Sequence, residues 1–439
     1  MTGAPAVGVV GAGYVGLTTA ACLAHLGHRV VCVEADARKA RRLRDGEVPI
    51  SEPGLTELVR AGLAAATLSF TTEVRRLRRA GIVFLCLPTP MGADGDADLG
   101  ALEAELVTLS GVLARECVLV TKSTVPVGTA RRAARMLARP DVRLVSNPEF
   151  LREGHAVRDF LRPSRIVIGA EDAGAAERVA ALYAGVDAPV LRTDPASAEL
   201  AKYASNAFLA VKLSYMNELA ELCERLGADI TEVGRVMGLD ARIGTAFLAP
   251  GPGWGGSCLP KDTRALLRSA PESGGALSVV RAAVLANEAQ RERILGKVCR
   301  AVTGRPDGSL AGLRIGVLGL TFKAGTDDLR HSPALAIAHG LAERGATVTG
   351  YDPEVAATEA ARLAPVQVAD DPYLVGKDAA GIVLLTEWPQ FRELDWARLA
   401  ATTERALVVD TRNLLDTDRL ARAGFAQVRL GGKAPRPAD

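Results

Sequence analysis

The stretch Val7-Gly8-Val9-Val10-Gly11-Ala12-Gly13-Tyr14-Val15-Gly16 reads as a buried strand running into a Gly-x-Gly-x-x-Gly turn. An apolar helical pattern follows to Leu26 and stops at Gly27. Residues 29–33 read as the next strand, closing on Glu34. Strand, glycine turn, helix and strand make a βαβ unit, which predicts a parallel α/β sheet. Each glycine has a job in such a turn. Gly11 permits the tight bend, Gly13 lets a pyrophosphate approach the backbone, and Gly16 lets helix and strand pack closely. Tyr14 and Val15 open the helix whose N-terminus would face that pyrophosphate. Glu34, 18 residues after Gly16, stands where a carboxylate accepts from ribose hydroxyls and repels a 2′-phosphate, so NAD is expected rather than NADP.

Working outward, residues 82–87, 118–121, 143–146, 165–169 and 189–192 read as further strands of the same sheet. The loops after the first three line the expected ligand crevice. From about Ala196 the pattern becomes helical. Residues 199–226 form one long helical stretch, and further helices run to about Val302, interrupted by the loop 251–262. A second α/β pattern starts at Leu313, with strands at 314–318, 347–351, 381–385 and 406–409 and a helix opened by Ser332-Pro333. The predicted fold is α/β: two Rossmann-like doubly wound domains joined by a helical central domain with a long connecting helix. The domains are residues 1–195, 196–305 and 306–439.

Composition narrows the function. The chain has 439 residues, 48% hydrophobic and 24% charged, with net charge +2. That balance is globular and offers no electrostatic footprint for nucleic acid. Arg41-Arg42, Arg75-Arg76 and Arg131-Arg132 read as solvated helix faces. Seven cysteines without paired spacing, and an N-terminus that lacks a basic leader segment, imply a cytoplasmic protein with free thiols. No run is long and apolar enough to span a membrane, and no metal is expected.

Gly251-Pro252-Gly253-Trp254-Gly255-Gly256-Ser257-Cys258-Leu259-Pro260-Lys261-Asp262 carries the chemistry. Pro260 is suited to open a helix. A thiol at a helix N-terminus beside Lys261 is expected to have a lowered pKa and nucleophilic character. Lys202 and Asn206 stand at i and i+4, so both fall on one helix face, where a cation and an amide donor could hold an oxyanion; a solvated lysine with an unrelated asparagine is the alternative. Glu149 and Glu153, also at i and i+4, could act on water or could simply favour a helix start. Lys323 and Arg330, in the loop after the strand 314–318, suit phosphate oxygens or surface charge pairing.

Taken together, these segments resemble the nucleotide-sugar dehydrogenase family, the group acting on UDP-glucose and GDP-mannose. The matching pieces, in family order, are residues 11–17, 49–55 (Pro49-Ile50-Ser51-Glu52-Pro53-Gly54-Leu55), 123–129, 147–154, Lys202 with Asn206, 253–262, and 322–330. The resemblance implies a four-electron oxidation of a sugar C6 alcohol with two NAD molecules, through a thiohemiacetal and a thioester on Cys258. It implies that Lys202 and Asn206 hold the oxyanion, that Asp262 and Thr124 order the water used in proton transfer, and that Glu149 assists thioester hydrolysis. Glu153, Lys261, Arg330, Lys39, Thr89 and Thr124 would approach the cofactor. Glu149, Phe150, Leu151, Arg152, Glu153, Lys202, Asn206, Phe247, Leu248, Ala249, Pro250, Gly251, Gly255 and Lys323 would contact the nucleotide sugar. Arg242 matches a position that reaches across a dimer, and the long helix would form the dimer core. UDP-glucose is the expected substrate, and a homodimer or larger homo-oligomer the expected assembly. GDP-mannose shares most of these motifs, but the Phe-Leu-Arg-Glu-Gly segment and the Gly-Trp-Gly-Gly loop lean toward UDP-glucose. A one-step hydroxyacid dehydrogenase needs neither the cysteine nor the second α/β domain. Ser51, Ser164, His331 and Glu34 depart from the residues most frequent at their positions.

Overall fold

The computed structural model describes residues 6–92, 95–272, 274–356, 358 and 360–432. The outermost residues of the first and third predicted domains, 1–5 and 433–439, lie outside them. The chain divides into two compact units. One comprises residues 1–205 with 264–273, and the other 206–263 with 274–439.

The first unit is built on an eight-stranded sheet. Its strands are β1 (Ala6–Val10), β2 (Val30–Val33), β3 (Leu68–Thr71), β4 (Ala80–Leu85), β5 (Val118–Thr121), β6 (Arg143–Ser146), β7 (Ile166–Ala170) and β8 (Val190–Thr193). They lie in the order β3-β2-β1-β4-β5-β6-β7-β8. All pairings are parallel except β6 with β7. Alternation along the central strands explains the near-continuous apolar runs. Val7, Val9, Ile82 and Phe84 enter one apolar layer, while Val10, Val83 and Leu85 enter another with Leu102 and Leu106. A strand buried on both faces must be apolar at every position.

The second unit holds a six-stranded, all-parallel sheet of β9 (Arg314–Leu318), β10 (Thr347–Tyr351), β11 (Gln367–Val368), β12 (Gly381–Leu384), β13 (Leu407–Asp410) and β14 (Ala426–Arg429), ordered β11-β10-β9-β12-β13-β14. Its six strands repeat the order of the first six of the other sheet. In both, the order reverses at the first strand, which is where a doubly wound sheet opens its crevice. Sequence comparison of the two halves reveals little of this kinship. Ser332 caps the helix Pro333–Glu343 by accepting from Leu335 N, and Pro333 takes its first position, as expected.

The long helix spans Pro195–Leu226 and starts four residues earlier than its apolar pattern indicates. Asp194 accepts from Ser197 N at 2.9 Å, and Pro195 fits the first helical position without needing a donor. The helical region needs one correction. Its irregular stretch is 239–258, not 251–262. Gly244, Pro250, Pro252 and the glycines after them end regular structure early, and the helix Leu259–Glu272 begins directly after Cys258. Lys261 and Asp262 are therefore helical. Among the described residues, no helix is long and apolar enough to cross a membrane.

Candidate active site

The glycine turn has the shape its spacing predicts. Gly11 has φ +90°, a conformation that L side chains rarely adopt, and a Cβ on Gly16 would stand 1.9 Å from the Gly11 carbonyl. Gly13 caps the helix Tyr14–His25 without any side-chain hydrogen bond, and the space where its Cβ would stand is open. Free backbone N–H groups and open space at a helix start fit an anionic pyrophosphate. Glu34 directly follows β2, accepting from Ala12 N at 3.3 Å and Asp36 N at 3.1 Å. Lys39 lies 3.1 Å from its carboxylate, so part of Lys39's charge is already matched. Thr89 is buried and donates its hydroxyl to the Thr124 carbonyl at 2.9 Å.

Tyr14 turns toward residues the cofactor reading did not include. Its hydroxyl donates to the buried Glu52, and Gly154 N donates to both Glu52 (2.8 Å) and the Tyr14 oxygen (3.0 Å). Burial, then the Glu52 bond, pushes the phenol well above its ordinary pKa. Glu52 thus ties the glycine turn to the segment 147–154. Its buried carboxylate lies within the quoted 49–55 motif, but nothing in the motif itself marks its partner.

Glu149 and Lys202 form a buried ion pair at 3.0 Å, with side chains 7% and 5% exposed. The second Glu149 oxygen accepts from Leu151 N. Lys202 is therefore not a solvated lysine. Removing either partner would leave the other charge buried and unmatched, typically a loss of about 3–5 kcal/mol. Phe150 lies under two cations, with the Arg165 guanidinium 3.8 Å and the Lys202 ammonium 5.3 Å from its ring centre. The neighbouring expected contacts differ. Arg152 is paired with Asp159 at 2.7 Å and is mostly exposed, while Leu151 and Glu153 are half-buried.

In the second unit, Cys258 immediately precedes the helix Leu259–Glu272, and its carbonyl accepts that helix's first bond, from Asp262 N at 2.9 Å. Cys258 is exposed, and its sulfur lies 3.5 Å from the Ser257 hydroxyl. Asp262 is 1% exposed and bridges two of the expected residues: it accepts from Asn206 Nδ2 at 2.6 Å and from Lys261 Nζ at 2.7 Å. Lys261 therefore shares its charge with Asp262, which sequence spacing did not anticipate. Asn206 follows Lys202 by one turn of the long helix.

Sequence reasoning missed the residues that hold the glycine loop. Gly251 N donates to Asn217 Oδ1 at 2.8 Å, and its carbonyl accepts from Gln290 at 2.9 Å. Asn287 accepts from Trp254 N and donates to the Trp254 carbonyl, and the indole N–H donates to Ser214. These amides sit in ordinary helical patterns, so no local signal could find them. Gly255 and Gly256 pack against the segment after β9. Gly256 N donates to the Arg330 carbonyl at 3.1 Å, and a Cβ on Gly255 would stand 2.0 Å from the His331 carbonyl. Arg412, also missed, lies beside Gly251 and pairs with Glu387 at 3.0 Å.

The remaining expected residues are less committed. Arg330 pairs with Asp328 at 2.8 Å, which is the surface pairing considered above. Lys323 lies 5.7 Å from the Phe322 ring centre. Leu248 and Pro250 are buried, Phe247 is half-buried at φ +62°, and Ala249 is exposed. Arg242, largely exposed, forms an ion pair with Asp240 at 2.6 Å.

Comparison with known proteins agrees with this architecture. Three models of the UDP-glucose/GDP-mannose dehydrogenase family match in sequence: the NAD binding domain at residues 5–187, the central domain at 196–289 and the UDP binding domain at 316–417. A UDP-glucose 6-dehydrogenase of Rhizobium meliloti is 43% identical over 434 residues, covering 96% of this chain and 98% of the relative. One of Pseudomonas aeruginosa is 44% identical over 445 residues, with 96% of each chain covered. A solved UDP-glucose dehydrogenase from Pyrobaculum islandicum superposes with TM-score 0.87 at 37% identity, covering 98% of this chain and 97% of that one. Matched nearly end to end, the chain belongs to the UDP-glucose/GDP-mannose dehydrogenase family.

Proposed function

We propose that this chain oxidises the C6 alcohol of UDP-glucose to the carboxylate, giving UDP-glucuronate, with two NAD consumed per sugar. The observation that carries the reading is the near-full-length identity to UDP-glucose 6-dehydrogenases in a chain whose exposed thiol directly precedes a helix. The glycine turn fits NAD, since Gly13 starts the following helix without a side-chain cap and the space where its Cβ would stand is open. NAD held there would supply the hydride acceptor for each oxidation stage.

The chain's own residues do the rest. The Cys258 sulfur adds to the C6 aldehyde, forming a thiohemiacetal, and later leaves as thiolate when water attacks the thioester. Lys202 and Asn206 stabilise the oxyanion on C6. Asp262, which accepts from Asn206, and Thr124 order the water that carries protons, and Glu149 assists hydrolysis. Segment 147–153, residues 247–251, Gly255 and Lys323 take the nucleotide sugar. In this reading the three parts are residues 1–195, 196–305 and 306–439, and the protein works in the cytoplasm. It assembles as a dimer through the long helix, with Arg242 reaching the partner's site.

The test measures NADH at 340 nm from purified protein with a panel of UDP- and GDP-sugars. Two NADH per UDP-glucose are expected, and Cys258→Ser should lose steady-state uronate formation while keeping NAD and UDP-glucose binding. One NADH per sugar, or undiminished uronate from Cys258→Ser, overturns the covalent mechanism.

A further inference from the structure

The helix Thr129–Leu137 follows the loop that carries Thr124, and it lacks a cap of its own. Its N-cap is Gly128, at φ +93°, with no side chain to accept from the first N–H groups. The missing acceptor comes from 71 positions away. Glu199, 3% exposed, accepts from Gly128 N at 2.6 Å through one oxygen. The other oxygen accepts from Ala130 N at 2.8 Å and from the Ser146 hydroxyl at 3.2 Å. One carboxylate thus gathers the helix start and the end of β6. Burial pushes its carboxyl above the ordinary glutamate value, while the donated bonds pull it down.

Glu199 stands on the long helix three residues before Lys202, so the two are neighbours on its surface. Thr124, Glu199 and Lys202 line one small cavity, together with Pro148. Thr124's carbonyl is held from the other side by Thr89. Ser123 in the same loop donates to the Leu87 carbonyl at 2.7 Å. Of these anchors, the Glu199 bond to Gly128 N is the one that reaches the helix presenting Lys202.

We propose that Glu199 is a positioning residue: by capping the helix after the Thr124 loop from the long helix, it sets where the Thr124 hydroxyl stands relative to the Lys202 ammonium. The idea rests on the roles given above to Thr124 and Lys202. A glutamine of nearly the same size would turn an NH2 group toward backbone donors or lose one of the three bonds, which frees the loop without emptying the site.

The test is a double-mutant cycle of Glu199→Gln and Thr124→Ala, reading kcat, NAD binding by titration and the melting temperature. Glu199→Gln is expected to lower kcat about 10- to 100-fold in the parent, as misplacement of a catalytic group does. In the Thr124→Ala background it should cost less than threefold, and within each background Glu199→Gln should change NAD affinity by less than threefold. A kcat within twofold of the parent, or equal losses in both backgrounds, overturns the proposal, since a general structural defect would be additive. Should Glu199→Gln fail to fold, Glu199→Asp, which keeps the charge but cannot reach both helix donors, replaces it in the cycle and is read the same way. The cycle uses whichever nucleotide sugar the parent oxidises, so a parent that ignores UDP-glucose overturns the substrate reading and not this one.

Discussion

Cys258 is exposed, whereas Cys22, Cys32, Cys86, Cys117, Cys223 and Cys299 are buried. Burial pushes the Cys117 thiol up to about 11 and the Cys22 and Cys86 thiols up to about 12, so they stay protonated at neutral pH. Because the thiolate is the nucleophile, brief treatment of the native protein with iodoacetamide at pH 8 should add one carbamidomethyl group by intact mass. Cys258→Ser should add none. Two or more adducts on the native protein would count against a single accessible thiol. Sequence alone picked out Cys258, because glycines before it and Pro260 after it mark a helix start. It could not show that Asp262 would accept from both Asn206 and Lys261, since the first bond depends on how two helices pack and the second on which way the Lys261 side chain turns.

At the scale of elements, the β1 turn separates two kinds of glycine. Alanine at Gly16 would put a Cβ 1.9 Å from the Gly11 carbonyl, so the backbone itself must move. Alanine at Gly13 meets nothing within 4 Å of the protein and intrudes only on the space a pyrophosphate would fill. Gly16→Ala should therefore lower the melting temperature and weaken NAD binding. Gly13→Ala should leave the melting temperature unchanged while weakening NAD binding by roughly tenfold or more. Equal melting temperatures for the two variants would refute the distinction. The second sheet shows why its own turn is different. Asp352, just after β10, is 2% exposed and spends one oxygen on Leu320 N, Thr321 N, the Thr321 hydroxyl and the Trp388 indole. Glu34, after β2, retains part of its exposure. The strands that sequence reading missed, β3, β11 and β14, are short or edge strands with few apolar residues, where pattern is weak. The antiparallel direction of β7 was equally unreadable, since alternation is the same either way.

At the scale of the molecule, the long helix leaves Phe208, Tyr215 and Leu222 exposed at intervals of seven residues, and Leu226, Val236 and Leu239 are exposed nearby in sequence. A heptad-spaced apolar row on one helix is costly to leave in water. The proposed dimer core would cover it. Phe208→Glu should shift sedimentation from dimer toward monomer with little change in melting at high protein concentration, and an unchanged sedimentation coefficient would remove this face from the interface. By itself, the sequence determined the doubly wound architecture and the NAD-type turn and singled out Cys258 as the proposed nucleophile, because each depends on local spacing and backbone conformation. Only the tertiary structure decided the pairings of Glu149 with Lys202, Asp262 with Asn206, Tyr14 with Glu52, and Glu199 with the start of its distant helix. Those bonds join residues tens of positions apart, and burial of their charges leaves no periodic trace in the chain.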